Sequence, residues 1–262
     1  MIFINPYKKG SSGARSLRSA LVAKGHRTLI GQKAPLSQRA LVINWGNSEF
    51  TFDPLPYKNI VNLPPLVGVM TNKLRFFRHV GHSRMVPEWS TEAPEACKWG
   101  GRVVVRHKLE GSGGAGIEIV EDGNPLPKAP LYVKYENKTH EFRIHMARGL
   151  HPGDPFNPIL VQRKIFQKRP DMEKPKDWAV RNHDNGFIFV RESDYPTPEA
   201  VLSLATNFMN EHFSRLHFAA LDIVWHDKRK QGFVLEGNTA PGLEGNTIEV
   251  YSNYFSGLAS TA

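Results

Sequence analysis

Residues 218–245 read FAALDIVWHDKRKQGFVLEGNTAPGLEG. Two apolar runs, Phe218–Trp225 and Gly232–Glu236, flank the charged link His226–Gln231, which is the pattern of a β-hairpin. A regular hairpin centred near Arg229 places Asp222 opposite Glu236, and cross-strand partners bring their Cβ atoms to about 4.5–5.5 Å. Asn238, two residues beyond Glu236, projects from the same face. Two carboxylates that close repel unless a cation lies between them. Oxygen donors of this kind suit Mg²⁺, which shares its shell with water and substrate phosphates. The alternative is that both acids face water, or that one pairs with a lysine of the link. The apolar neighbours Ala220, Ile223, Val224, Val234 and Leu235 argue against a merely exposed hairpin.

A second informative stretch lies upstream. The β-branched run Arg102–Arg106 leads into Gly111, Ser112, Gly113, Gly114, Ala115 and Gly116, and then into Ile117–Val120. This reads as two strands joined by a glycine-rich turn. Dinucleotide fingerprints and Walker loops need a helix after the glycines, so neither fits. Glycines let backbone N–H groups approach an anion, and such a turn can act as a flap over a nucleotide. The plainer reading is a flexible hairpin tip without a ligand. Arg106 and Lys108 put cations beside the phosphate position. A phosphate flap and a magnesium-binding acid pair are two parts that ATP chemistry requires.

The remaining pattern alternates. Met1–Ile4, Leu41–Trp45 and Ile60–Leu63 read as strands, and Ser11–Lys24 reads as a helix stopped by Gly25, which predicts a small α/β domain with a parallel sheet. Pro64-Pro65 marks its boundary. A helix begins at Asn72, with Leu74, Phe77 and Val80 on one stripe. Leu131–Tyr135 and Glu141–Met146 are further strands, and Ala200–Phe213 is an amphipathic helix. Gly149–Pro158 is turn-rich, either a lid or a surface loop. The expected organisation is a basic α/β unit over 1–68, a second unit over 69–130 with the glycine-rich loop, and a third over 131–262 with the hairpin.

Composition sets the outer limits. The chain has 262 residues, 34 Lys plus Arg, 25 Asp plus Glu and one cysteine, Cys97, which excludes an internal disulfide framework and a multi-cysteine zinc site. No apolar run approaches the roughly 18 residues of a membrane helix, and the first residues do not form a signal peptide, so a cytoplasmic setting is expected. No histidine pair has a third ligand at diagnostic spacing. Of the net charge of +9, residues 1–60 carry +7, from Lys8, Lys9, Arg15, Arg18, Lys24, Arg27, Lys33, Arg39 and Lys58 against Glu49 and Asp53. Such a lobe attracts nucleic acid or other anions, or simply keeps the protein soluble.

Taken in order, the motifs resemble the ATP-grasp superfamily over roughly residues 70–250, and most closely its RimK-type glutamate ligase branch. Asn72-Lys73-Leu74-Arg75 is similar to the family's Asp-Lys-Leu-Arg, and Glu141-Phe142-Arg143 to its (Asp/Glu)-x-Arg. Ala179-Val180-Arg181-Asn182 is similar to its Phe-Arg-x-Asn segment, and Glu236–Gly245 to its Glu-x-Asn-x-x-Pro-Gly-Leu-Glu-Gly. Stand-alone proteins with the same ending occur in bacteriophages, a source the likeness implies.

The resemblance implies an α+β fold, two α+β subdomains gripping ATP after a small α/β domain. It also implies activation of a carboxylate substrate as an acylphosphate, followed by attack of an amine acceptor. Asp222, Glu236 and Asn238 would hold Mg²⁺, and Lys73 and Arg106 or Lys108 would contact phosphates together with the Gly111–Gly116 loop. The backbone of Val133, Lys134, Tyr135 and Glu136 would meet the adenine, and Glu141 the ribose. Arg143 would order the site, while Arg181 or Asn182 would steady the transferred group. Arg106 departs from the family's usual lysine, and Val133 from a common acidic or amide side chain. Ala220 replaces the arginine of D-alanine–D-alanine ligases, which argues against that substrate class. Two other classes stay open: a phosphotransferase on the same scaffold, and a nucleotide-dependent nucleic-acid-binding module.

Overall fold

A computed structural model describes residues 1–262 apart from Ala34, Leu36, Thr51, Ser112, Gly113, Pro152, Glu192, Ser193, Asp194 and Ala262. Strand β1 (Ile2–Pro6) leads to helix α1 (Ser12–Ala23), then to strands β2 (Thr28–Ile30), β3 (Leu41–Trp45) and β4 (Asn59–Val61). These strands form one parallel sheet in the order β2-β1-β3-β4. Every residue of β1 and β3 is buried, as expected of a sheet covered on both faces. Ser11 caps α1 by accepting a hydrogen bond from Ala14 N at 3.4 Å, and Ala14, Leu17 and Leu21 turn inward.

Pro64 and Pro65 open helix α2 (Pro64–Thr71), where a missing N–H costs nothing. Helix α3 (Lys73–Val80) follows, with Asn72 Oδ1 accepting from Arg75 N at 3.1 Å. Strand β5 (Trp89–Ser90), helix α4 (Ala93–Ala96), and strands β6 (Val103–Arg106), β7 (Ile117–Val120) and β8 (Leu131–Lys134) complete a second unit. Its sheet has the order β5-β8-β6-β7 and is antiparallel. The sequence boundary at residue 130 therefore falls inside this sheet, because β8 pairs with both β5 and β6.

The third sheet is the largest. It contains β9 (His140–Ala147), β10 (Asn157–Phe166), β11 (Phe187–Arg191), β12 (Phe218–His226) and β13 (Gln231–Asn238), in the order β11-β10-β9-β12-β13. Helix α5 (Glu199–His212) covers one face through Val201, Ala205, Phe208 and Met209. Helix α6 (Thr247–Thr261) returns to the first unit. Its Tyr251, Phe255 and Leu258 share a core with Ile4, Leu17, Ile43 and Trp45. Among the described residues, no helix is long and apolar enough to cross a membrane.

Candidate active site

Strand β9 lies between β10 and β12, so one residue of each strand stands in register across the sheet. Gln162, Arg143, Asp222 and Glu236 form such a row. Alternation puts Glu141, Arg143 and His145 on this face of β9, and Phe142, Ile144 and Met146 on the other. The second face packs against α5 and is apolar. The first face is polar and holds the candidate chemistry.

The Asp222–Glu236 pairing is present, but the hairpin that produces it is not regular. His226 pairs with Gln231, and the register runs through Val224–Phe233 to Ile223–Val234 before Leu235 bulges out and Asp222 meets Glu236. The bulge has a physical purpose. In an unbroken strand Val234 and Glu236 would share a face. The extra residue lets Val234 enter the core while Glu236 turns to the polar face. Asn238 lies opposite Ala220, and its Oδ1 accepts from Ala240 N at 2.8 Å. At Gly237, next to Asn238, a Cβ would lie 1.9 Å from Met70 Sδ on α2, so any larger residue would force Met70 to shift.

Cations from three directions meet the acids. Arg143 donates Nε to Asp222 Oδ1 at 2.7 Å and a terminal nitrogen to Oδ2 at 2.8 Å, a bidentate pair. Burial disfavours the charged guanidinium, but Asp222 outweighs it and holds the Arg143 pKa above its ordinary value. Lys73 Nζ of α3 lies 3.7 Å and Arg106 of β6 3.8 Å from Glu236 Oε2. Lys73 also donates to Gly111 O at 3.1 Å, tying α3 to the glycine-rich loop. Arg106 is 7% exposed, and its buried Nε has no partner among the described residues. Burial pulls its pKa down, against the opposing pull of Glu236. Lys108 is exposed. Of the two, Arg106 is the cation turned toward the acid pair.

Gly114 sits at φ +79°, and a side chain there would come within 3.2 Å of Asn182 Nδ2 and 3.4 Å of Val180. The loop thus lies against the segment bearing Arg181 and Asn182. Ser112 and Gly113, two of the expected phosphate-loop residues, lie outside the described residues. Arg181 donates to the carbonyls of Lys138 and Thr139 at 3.3–3.4 Å, and Lys138 Nζ donates to Ala179 O at 3.0 Å. The segment before β11 is therefore latched to the link between β8 and β9.

The end of β8 and that link hold the four residues expected to meet an adenine, Val133, Lys134, Tyr135 and Glu136. Val133 is 4% exposed and packs into the core, and its strand is paired on both sides. The amides of Lys134 and Tyr135 donate to Glu88 O and Arg102 O. Arg102 stacks 3.9 Å from the Tyr135 ring centroid, and burial raises the Tyr135 pKa. Burial likewise raises that of Glu136, against the pull of Lys134. A small recess beside the link is lined by Glu136, Asn137, Val224, Arg229 and Phe233.

Glu141, expected at a ribose, is held inside an ionic cluster. Lys164 of β10 pairs with one of its oxygens and Lys138 with the other, the latter at 3.3 Å. The sequence reading missed Lys138, Lys164 and Gln162. Nothing in NPILVQRKIF shows strict alternation, because Gln162, Arg163 and Lys164 are consecutive polar residues. His145, by contrast, is a core histidine: it is fully buried and bonded to Tyr251 Oη at 3.0 Å and Gln162 Oε1 at 2.9 Å.

The donor set fits a magnesium–polyphosphate group. Two carboxylates and an amide oxygen share one face, and no cluster of three His, Cys, Asp or Glu competes among the described residues. Lys73, Arg106, Arg143, Lys138, Lys164 and Arg181 outnumber Asp222, Glu236 and Glu141 by three positive charges, an excess suited to an anion.

No family model matches the sequence, and no curated protein matches it. Solved structures do match along the whole chain. A RimK-domain ATP-grasp protein from Sphaerobacter thermophilus superposes with a TM-score of 0.61 at 15% identity, covering 99% of this chain and 98% of that one. The ATP-grasp ligase PsnB, in complex with a minimal precursor, gives 0.68 at 10% identity with 98% of each chain covered. A D-alanine–D-alanine ligase from Bacillus anthracis gives 0.64 at 16% identity, covering 98% of this chain and 93% of that one. The expectation from the motifs thus meets an independent match of backbone, and the fold of this chain is the ATP-grasp fold.

Proposed function

We propose that the protein is an ATP-dependent ligase that joins a carboxylate to an amine through an acylphosphate, as the RimK-like motifs imply. The observation that carries the reading is the Asp222–Glu236 pair with Asn238 on one polar sheet face, approached by Lys73 of α3 and Arg106 of β6. Asp222, Glu236 and Asn238 would hold magnesium, which when bound neutralises phosphate oxygens. Arg143 fixes the Asp222 carboxylate through two hydrogen bonds, so its oxygens are oriented before a ligand arrives. Lys73 and Arg106 would supply positive charge to the phosphate chain; a guanidinium can engage two phosphate oxygens at once, which an ammonium cannot do in that planar fashion. Gly114 lies against Val180 and Asn182, so Arg181 or Asn182 would steady the transferred group under a loop whose closure would exclude water. The carboxylate substrate attacks the γ-phosphorus, ADP leaves, and the neutral amine displaces phosphate from the acylphosphate.

The test is ADP release across candidate carboxylates and amines, with mass spectrometry of the product. Asp222→Ala and Glu236→Ala are each expected to lower turnover about a hundredfold or more, since several kcal/mol of charge stabilisation is removed. Undiminished turnover would remove the metal-site assignment. A persistent phosphoester with no amide would assign the scaffold to phosphoryl transfer instead. The nine cations of residues 1–60 are all exposed. We read them as a surface for an anionic partner such as nucleic acid, which requires binding that weakens steeply with salt.

A further inference from the structure

A buried chain of hydrogen bonds ends on the polar face and fixes what it presents there. Tyr251 and His145 are fully buried. Among the described residues, Tyr251 Oη has one partner, His145 Nδ1 at 3.0 Å. A buried O–H with nowhere to donate is costly, so the tyrosine donates and Nδ1 accepts. Burial lowers the His145 pKa to about 4, so the ring is neutral. Its single proton then sits on Nε2, which donates to Gln162 Oε1 at 2.9 Å. The Gln162 carboxamide is thereby oriented: its oxygen turns back to His145, and its NH2 turns away.

Only donors surround that NH2. Among the described residues no acceptor is bonded to it, and the half-buried side chain leaves it open to solvent. The cross-strand partners of Gln162 are Arg143 on β9 and Arg191 on β11, and Arg191 is exposed. Arg143 has five N–H groups and spends two of them on Asp222. Lys164 shares this face of β10, and its ammonium and the Arg143 guanidinium lie 4.7 Å and 4.0 Å from the Phe189 ring centroid. An amide NH2 between two guanidiniums calls for a planar anion with two oxygens, a carboxylate. Gln162 stands two strands from Asp222, about 10 Å away, at the opposite end of the row from Glu236. Lys73 and Arg106, the cations read as serving the phosphate chain, approach the Glu236 end.

We propose that Gln162 reads a second, unreacting carboxylate on the substrate, and that Tyr251 and His145 are positioning residues that aim its NH2 there. The inference rests on the ligase reading above.

The first measurement needs no substrate. Long-range proton–nitrogen NMR of the full chain identifies the protonated nitrogen of His145. Nε2 is expected; a proton on Nδ1 would turn Gln162 round and overturn the proposal. The second measurement is steady-state kinetics with the carboxylate–amine pair found by ADP release, beside an analogue in which a methyl group replaces the unreacting carboxylate. Gln162→Met is expected to raise the KM of the carboxylate-bearing substrate about tenfold and to leave those of ATP and the methyl analogue within about twofold. Gln162→Glu sets an anion against an anion and should raise the first KM about a hundredfold. Tyr251→Phe releases the His145 tautomer and should raise it about threefold without moving that of ATP, a split that lost packing alone does not produce. A raised KM for ATP would assign the corner to a phosphate. That result, an unchanged substrate KM in Gln162→Met, or a substrate with no second carboxylate would each overturn the proposal. If no pair releases ADP from wild type, the ligase reading falls and takes this one with it, an outcome distinct from turnover that ignores Gln162. Circular dichroism checks folding; should Gln162→Met not fold, Gln162→Glu and the His145 tautomer carry the test.

Discussion

The parallel sheet of the first unit and the five-stranded antiparallel sheet spend their residues differently. Strands β1 and β3 are buried along their whole length, and both faces serve packing. On β9 and β12 one face is apolar; the other packs only at its Ala147–Phe218 end and otherwise carries Glu141, Arg143, His145 and Asp222 in paired contacts. The first sheet tolerates no charge because nothing inside it could compensate one. The second accepts charges because each is met by an opposite charge or a hydrogen bond from the adjacent strand. The lesson is that one sheet face can be specialised for chemistry only when the other supplies the core.

Three changes sharpen that contrast. The largest stability effect is expected from Arg143→Met. It leaves the Asp222 carboxylate, 6% exposed, without its bidentate partner, and breaking such a pair costs about 3–5 kcal/mol. Urea denaturation measures it; a loss below about 1 kcal/mol would show the polar face to be as forgiving as a solvent surface. Gly237→Ala should cost less, about 1–3 kcal/mol, because Met70 must move from a contact of 1.9 Å. Met70→Ala in the same chain should recover part of that loss, and the absence of recovery would place the strain elsewhere.

The smallest effect concerns the bond that joins the two regions. Tyr251→Phe removes the Tyr251 Oη–His145 hydrogen bond and should lower stability by about 1 kcal/mol at neutral pH. His145 also fixes a pH dependence. Burial lowers its pKa from 6.5 to about 4, so the unfolded chain takes up the proton first. The stability it contributes is whole above about pH 6.5 and drains away as pH falls toward 4. His217, held down to about 4 by burial and Arg148, adds to the same window. Denaturation curves at pH 7, 5.5 and 4.5 should show the decline, and His145→Gln should flatten it. A slope unchanged by that substitution would mean that the buried imidazole is not its source.

Much of the fold was legible where the pattern is local. The hairpin, the helix after Ser11, the Asn72 cap and the α5 stripe follow from spacing alone. The strand β10 escaped because Gln162 and Lys164 face the site while Arg163 lies over the Tyr195 ring on the other side, so three polar residues in a row mask the alternation. Helix α6 escaped for a different reason. Tyr251, Phe255 and Leu258 stand at helical spacing, but the surface they bury lies in the first unit, more than 200 residues earlier in the chain. The Asp222–Glu236 partnership was anticipated from a regular hairpin, whereas the structure reaches it through a bulge at Leu235.

By itself, the sequence determined which groups are available: two acids and an amide on one hairpin, cations ahead of a glycine-rich turn, and a polar stripe on β9. Those choices are written in residue identity and short-range periodicity. Only the tertiary structure decided that Val234 turns inward, bonding Met85 O through its amide, so that Leu235 must bulge and Glu236 must face Lys73 and Arg106. It also decided that Glu141 is claimed by Lys164 from the neighbouring strand as well as by Lys138 three residues before it. Pairing between strands and burial of charge are settled by partners brought from far along the chain, and no local pattern encodes which partner arrives.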